Sequence, residues 1–224
     1  PMRSSAASDV YKRQVRATSL EEEGRQHPML SVLHEMKPKN DFFESSSDSP
    51  VAQMSDQEFL QAKATYFGLM TEIDEQLGRI FDYLKATNQY DSTLIVFTSD
   101  HGEQLGDHYL FGKLGYFDAS YHIPLIIRDP KRQLQKVKTL EHFSESVDVM
   151  PTILDWLGLE IPDQCDGRSL LPFLENEVPR NWREEVHSEF DFRWIGSYQP
   201  MIEKRFSLLP DECSLVIIRD ADYK

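Results

Sequence analysis

The chain has 224 residues, with 38 acidic against 24 basic side chains and a formal charge of −14. That surplus repels phosphate backbones and argues against nucleic acid as a partner, so a small anionic ligand must be captured by local positive charge. At 40% hydrophobic the chain can bury one substantial core, and no apolar run approaches bilayer-spanning length, so it reads as a soluble protein with no membrane partner and a cytoplasmic location by default.

Residues 1–14, PMRSSAASDVYKRQ, have no apolar h-region and no period that would tie them to a core. They read as a translated sequencing-adapter tail. Residues 15–54 show little period, with acidic Glu21 to Glu23, His27-Pro28 and a serine cluster from Ser45 to Ser49 before Pro50. The expectation is a loop-rich surface segment with one short helix at His34 to Lys37. The next element is the clearest helix. Ser55-Asp-Gln-Glu58 is a capping-box pattern, Met54 and Phe59 are placed for a hydrophobic staple, and Phe59, Ala62, Tyr66, Met70, Ile73, Leu77, Ile80 and Leu84 form one apolar face. A core helix with a charged solvated back is expected.

Thr93 to Phe97 reads as a strand covered on both faces, after which Gly102 and Gly106 break the chain into a loop. Ile123 to Ile127 reads as a second buried strand. Asp148, with Pro151 in the first turn, starts a helix that ends at Gly158. A short helix at Gly167 to Leu174, a strand at Glu185 to Phe190 and a last strand at Leu215 to Ile218 complete an alternating α/β pattern. Residues 55–175 read as part of a catalytic domain and 176–224 as the truncated start of a smaller antiparallel subdomain. Trp182, Phe190, Phe192, Trp194 and Tyr198 suit either a core or an interface.

Asp100 and His101 stand just past the carboxyl end of the first strand, where α/β sheets bind ligands. A carboxylate oxygen with a neutral imidazole nitrogen suits manganese, zinc or iron, whereas an all-oxygen set favours calcium or magnesium. The competing reading is an N-cap aspartate with a loop histidine. Lys113, after Gly112, offers a compact ammonium for an anionic oxygen; otherwise it is a solvated loop lysine. Asp107 and His108 repeat the Asp-His pair but read as hydrogen-bonding loop residues. His122 reads as structural, and Glu103 as a residue that could orient a ligand.

The segment FTSDHGEQLGDH, then Gly112-Lys113 and His122-Ile-Pro-Leu-Ile-Ile, resembles the late metal-binding motif of the sulfatases in the alkaline phosphatase superfamily. Among these it is most similar to phosphonate monoester hydrolases. The likeness continues through Ser146-Val-Asp-Val-Met-Pro-Thr-Ile-Leu-Asp-Trp-Leu-Gly and Gln164-Cys-Asp-Gly-Arg-Ser-Leu-Leu-Pro-Phe-Leu, and resumes at Leu215. The resemblance implies a three-layer α/β/α alkaline-phosphatase-like fold, incomplete here. It also implies one divalent metal (manganese, zinc, iron or calcium) held in part by Asp100 and His101, with Lys113 binding the substrate anion. The family nucleophile is a formylglycine made from the cysteine of a Cys-x-Pro-x-Arg motif. Cys165 and Cys213 lack that context, and they lack the clustering of a zinc site or a disulfide framework. Both read as ordinary part-buried thiols.

The chain is therefore expected to be the carboxyl-terminal part of a longer hydrolase and inactive alone. Three functions stay open: a hydrolase of phosphonate monoesters and phosphodiesters, a sulfatase, and a noncatalytic metal-binding or assembly protein of the same fold. The expected partner is a small anionic ester, with a homo-oligomeric parent left open.

Overall fold

A computed structural model describes residues 19–39, 49–132, 139–194 and 198–223, so the tail at 1–14 lies outside the described residues. In chain order the elements are α1 (Leu20–Gln26), α2 (Pro28–Met36), α3 (Asp56–Ala86), β1 (Ile95–Thr98), α4 (Asp118–Tyr121), β2 (Leu125–Arg128), α5 (Val149–Trp156), α6 (Leu171–Leu174), β3 (Val186–Asp191), α7 (Tyr198–Phe206) and β4 (Ser214–Arg219). They form two compact units, residues 1–128 with 190–214, and residues 129–189 with 215–224.

In the first unit, two capped helices replace the loop expected before Val51. Ser19 Oγ accepts the Glu22 N–H while the Glu22 carboxylate accepts the Ser19 N–H, which starts α1. His27 Nδ1 then accepts the Met29 N–H and Pro28 sits in the first turn, which starts α2. The α2 helix buries Met29, Leu30, Val32, Leu33 and His34 and leaves Pro28 and Glu35 exposed on its open side, a one-sided pattern carried by only nine residues. Ile202 and Tyr198 of α7, which packs against α2, are buried with them, and Arg205 of α7 pairs with Glu35 at 2.6 Å. Burying each such aliphatic side chain stabilises by roughly 1.5–3 kcal/mol.

The α3 helix starts at Ser55 with both capping-box hydrogen bonds in place. Lys39, hydrogen-bonded to Glu58 at 2.9 Å, and Ser55 together lower the Glu58 pKa to about 2. Phe59 and Ala62 join Val51, Met54 and Phe111 in a core cluster, with Phe59 edge-on to Phe111. Beyond that point the expected core face is bare: Met70, Ile73 and Ile80 are about half exposed, as are Leu69 and Tyr83. The first strand is uncovered in the same way, as a partner-covered strand and helix are when the covering elements are not among the described residues. β1 pairs antiparallel with β2, Ile95 opposite Arg128 and Thr98 opposite Leu125. Phe97 and Ile126 are exposed, because among the described residues this sheet has two strands and nothing covers that face.

The second unit centres on α5, which ends where Gly158 turns left-handed at φ +71°. Asp148 does not cap α5 as expected. Its fully buried carboxylate accepts the N–H groups of Glu145 and Arg168, each at 2.8 Å, and both terminal nitrogens of Arg183. Phe173 of α6 packs edge-on to Trp182, whose Nε1 donates to the Phe143 carbonyl. β3 and β4 form a second two-stranded sheet. Trp182 is buried in this unit, and Phe190, Phe192 and Tyr198 are buried in the first, so these aromatics are core; the Trp194 side chain lies outside the described residues. Cys213 is wholly buried and Cys165 partly so, both as free thiols.

Candidate metal and anion site

The first strand leads into Asp100 and His101 through a tightly specified turn. After Thr98 ends β1, Ser99 Oγ donates to the His101 carbonyl at 2.5 Å. Gly102 N–H donates to the Ser120 carbonyl at 2.8 Å. A β-carbon at Gly102 would lie 2.0 Å from the Ala119 carbonyl oxygen, so the close approach of this turn to α4 requires glycine.

Asp100 and His101 are brought together at the surface. Asp100 Oδ1 accepts the His101 N–H at 3.0 Å, and Asp100 Oδ2 lies 3.7 Å from His101 Nε2. His101 Nδ1 is 2.7 Å from the Gly102 carbonyl, an acceptor, so this nitrogen carries the proton and donates. In the neutral ring Nε2 is then the lone-pair nitrogen, and it faces a carboxylate oxygen. Two acceptors at that spacing form a chelating pair for a cation, and a backbone carbonyl on Nδ1 is how metal-binding imidazoles are commonly oriented. Both side chains are open, Asp100 at 86% and His101 at 36% exposure, so further ligands have room to approach. Among the described residues no group of three or more His, Cys, Asp or Glu side chains assembles. A carboxylate oxygen with an imidazole nitrogen is a donor set that suits a divalent cation of intermediate softness.

Lys113 is exposed on the next loop, directly after Gly112. That loop is tied to the Asp100/His101 turn by two neighbouring residues. Glu103 Oε1 accepts the N–H groups of Gly112 at 2.6 Å and Leu105 at 3.1 Å. Gln104 N–H donates to the Gly112 carbonyl at 3.1 Å, and its fully buried side-chain amide donates to Ser120 Oγ at 3.0 Å and to the Leu114 carbonyl. Gln104 and Ser120 had no signal in the sequence, since a single polar residue between apolar ones does not announce a buried brace.

Asp107 and His108 are held by the scaffold. Buried Lys63 of α3 reaches Asp107 Oδ1 at 3.4 Å and lies over the Phe59 ring. His108 Nδ1 is 3.0 Å from the buried Glu23 carboxylate of α1, its ring stacks on Phe117, and its carbonyl meets His34 Nε2 at 2.8 Å. His122 is exposed at the end of α4, its N–H donating to the Asp118 carbonyl.

Two family descriptions match the chain: Sulfatase over residues 8–159, and N-sulphoglucosamine sulphohydrolase, C-terminal, over residues 106–217. The chain belongs to the sulfatase family of the alkaline phosphatase superfamily. It is 50% identical over 210 residues to the multifunctional alkaline phosphatase superfamily protein PehA of Trinickia caryophylli, covering 94% of this chain and 40% of that protein. An arylsulfatase of Clostridium perfringens is 38% identical over 134 residues, covering 59% of this chain and 28% of its own length. The crystal structure of the phosphonate monoester hydrolase of Agrobacterium radiobacter superposes with a TM-score of 0.79 at 40% identity, covering 92% of this chain and 40% of that one. The chain thus has an incomplete alkaline-phosphatase-like α/β fold and spans about two fifths of the first of these relatives.

Proposed function

We propose that this chain is the carboxyl-terminal portion of a metal-dependent hydrolase of phosphonate monoesters and phosphodiesters, whose formylglycine nucleophile and remaining metal ligands stand in a preceding portion. The observation that carries the reading is the Asp100 Oδ2 to His101 Nε2 spacing of 3.7 Å, with Nδ1 engaged by the Gly102 carbonyl. A divalent ion bound there supplies charge stabilisation at the reacting phosphorus or sulfur. Asp100 and His101 hold their ligating atoms on one side of the turn without needing to reorganise. Lys113 brings positive charge to a nonbridging oxygen of the substrate, offsetting the repulsion of a chain with net charge −14.

The likeness to a phosphonate monoester hydrolase over nearly the whole chain favours that substrate class. A sulfatase is the second reading, supported by the matching family description and by the arylsulfatase relative. A noncatalytic protein of the same fold is the third, and an intact nucleophile motif upstream would count against it.

The test is a comparison of the metal-loaded full-length parent on an aryl phosphonate monoester and an aryl sulfate. Faster turnover of the phosphonate is expected, with Asp100→Asn and His101→Ala each lowering bound metal at least tenfold. Preference for the sulfate moves the assignment to the second reading. Unchanged metal content in both variants would overturn the ligand roles.

A further inference from the structure

We infer that Glu103 is a positioning residue that fixes Lys113 relative to the Asp100/His101 pair, so that metal site and anion site move as one unit; this rests on the anion-binding role proposed above for Lys113. The inference comes from the hydrogen bonds around Gly112. Its N–H is held by the Glu103 carboxylate at 2.6 Å, its carbonyl accepts the Gln104 N–H at 3.1 Å, and its backbone sits at φ +76°. With both polar groups engaged and the backbone in the left-handed region, Gly112 has little freedom left, and the direction in which the chain enters Lys113 is set. The two clamping residues follow His101 by two and three positions, on the same short turn whose Gly102 is locked against α4.

The same Glu103 oxygen also accepts the Leu105 N–H at 3.1 Å. That bond closes the turn back on itself, at a position where Leu105 is left-handed at φ +52°. One carboxylate therefore stabilises the exit from the metal turn and anchors the loop that carries the ammonium. A charged acceptor suits this task, because N–H bonds to carboxylates are roughly twice as strong as those to neutral groups. Deeper in, Gln104 braces the same loop through Ser120 and Leu114, so losing Glu103 loosens the entry to Lys113 without emptying the interior.

The test uses the metal-loaded full-length parent and reads inhibition by inorganic phosphate, KM for an aryl phosphonate monoester, and metal content. Glu103→Ala is expected to raise the phosphate inhibition constant and KM on the order of tenfold, since about 1 Å of misplacement suffices for effects of that size. Metal content is expected to stay unchanged. Glu103→Gln keeps an acceptor oxygen and is expected to recover most of the loss. In a Lys113→Ala background, Glu103→Ala is expected to add nothing, because its effect passes through the lysine. Full additivity there, or a Glu103→Gln variant as impaired as Glu103→Ala, would overturn the inference while leaving the role of Lys113 standing. A Lys113→Ala variant with unchanged phosphate inhibition would instead sink the anion-binding reading beneath it. Hydrogen exchange on the present chain gives an independent readout: the Gly112 amide is expected to be protected, and to lose protection in Glu103→Ala. Equal exchange in both would count against the clamp.

Discussion

At the scale of single residues, the most demanding electrostatic arrangement lies away from the candidate site, at Asp148. Burial alone would push its carboxyl upward, but Arg183 and the N–H groups of Arg168 and Glu145 outweigh that and hold it below the usual carboxylate range. Asp148 in turn raises the Arg183 guanidinium. A depressed carboxyl stabilises the fold above the pKa it has when unfolded, so this contribution is present at neutral pH and is lost as the pH falls through the lower folded value. Arg183→Met is expected to destabilise the chain by about 3–5 kcal/mol, since it strands a buried charge. Adding Asp148→Leu is not expected to restore stability, because two backbone N–H groups then lose their acceptor. Denaturant unfolding of the single and double variants checks this; full recovery in the double variant would show that Asp148 acts only as a counter-ion. The aspartate was visible in the sequence as a helix start. Its partner was not, because nothing local connects position 148 to position 183.

At the scale of elements, what could be read in advance was whatever local chemistry dictates. The Ser55 to Glu58 box starts α3 as its pattern requires, and Gly158 ends α5. Ser55→Ala should cost about 1 kcal/mol by removing the acceptor for the Glu58 N–H, whereas Glu58→Gln, which can still reach back to Ser55 N–H, should cost less. Thermal unfolding of the two variants measures the difference, and equal losses would mean that the Glu58 pair with Lys39 matters as much as the cap. The Ser19 and Glu22 box was equally present in the sequence, and Pro28 marks the first turn of α2. With seven residues in α1 and nine in α2, both helices are shorter than the window over which an apolar period can be read, so the one-sided face of α2 does not repeat often enough to announce itself. That Asp100 and His101 stand just past a strand was legible, and β1 ends at Thr98. The hydrogen bonds of His101 Nδ1 to the Gly102 carbonyl and of Glu103 to the Gly112 and Leu105 amides were not, since spacing does not locate carbonyls and amides.

For the whole molecule, the uncovered apolar faces carry the main consequence. In the first unit Leu69, Met70, Ile73, Ile80 and Tyr83 along α3, with Phe97 and Ile126 on the small sheet, are all substantially exposed. Isolated exposed apolar residues are ordinary, but a run of them along one helix face marks a surface built to be covered. The chain spans about two fifths of its PehA relative, and we expect the preceding portion of the parent to cover that face. A charge of −14 keeps separate molecules apart at low salt, yet screening shortens that protection to about 10 Å at 0.1 M salt. The 224 residues alone are therefore expected to self-associate and to bind a hydrophobic dye as salt rises. Leu69→Glu combined with Ile73→Glu is expected to reduce both effects without lowering the melting temperature of the isolated chain, because neither side chain is buried there. In the full-length parent the same pair is expected to be strongly destabilising, since two carboxylates would then be forced into an apolar contact. Light scattering and thermal unfolding of both forms decide the matter: a monomeric, dye-silent wild-type chain at high salt, or a full-length protein indifferent to the two glutamates, would show that this face is not where the rest of the protein packs.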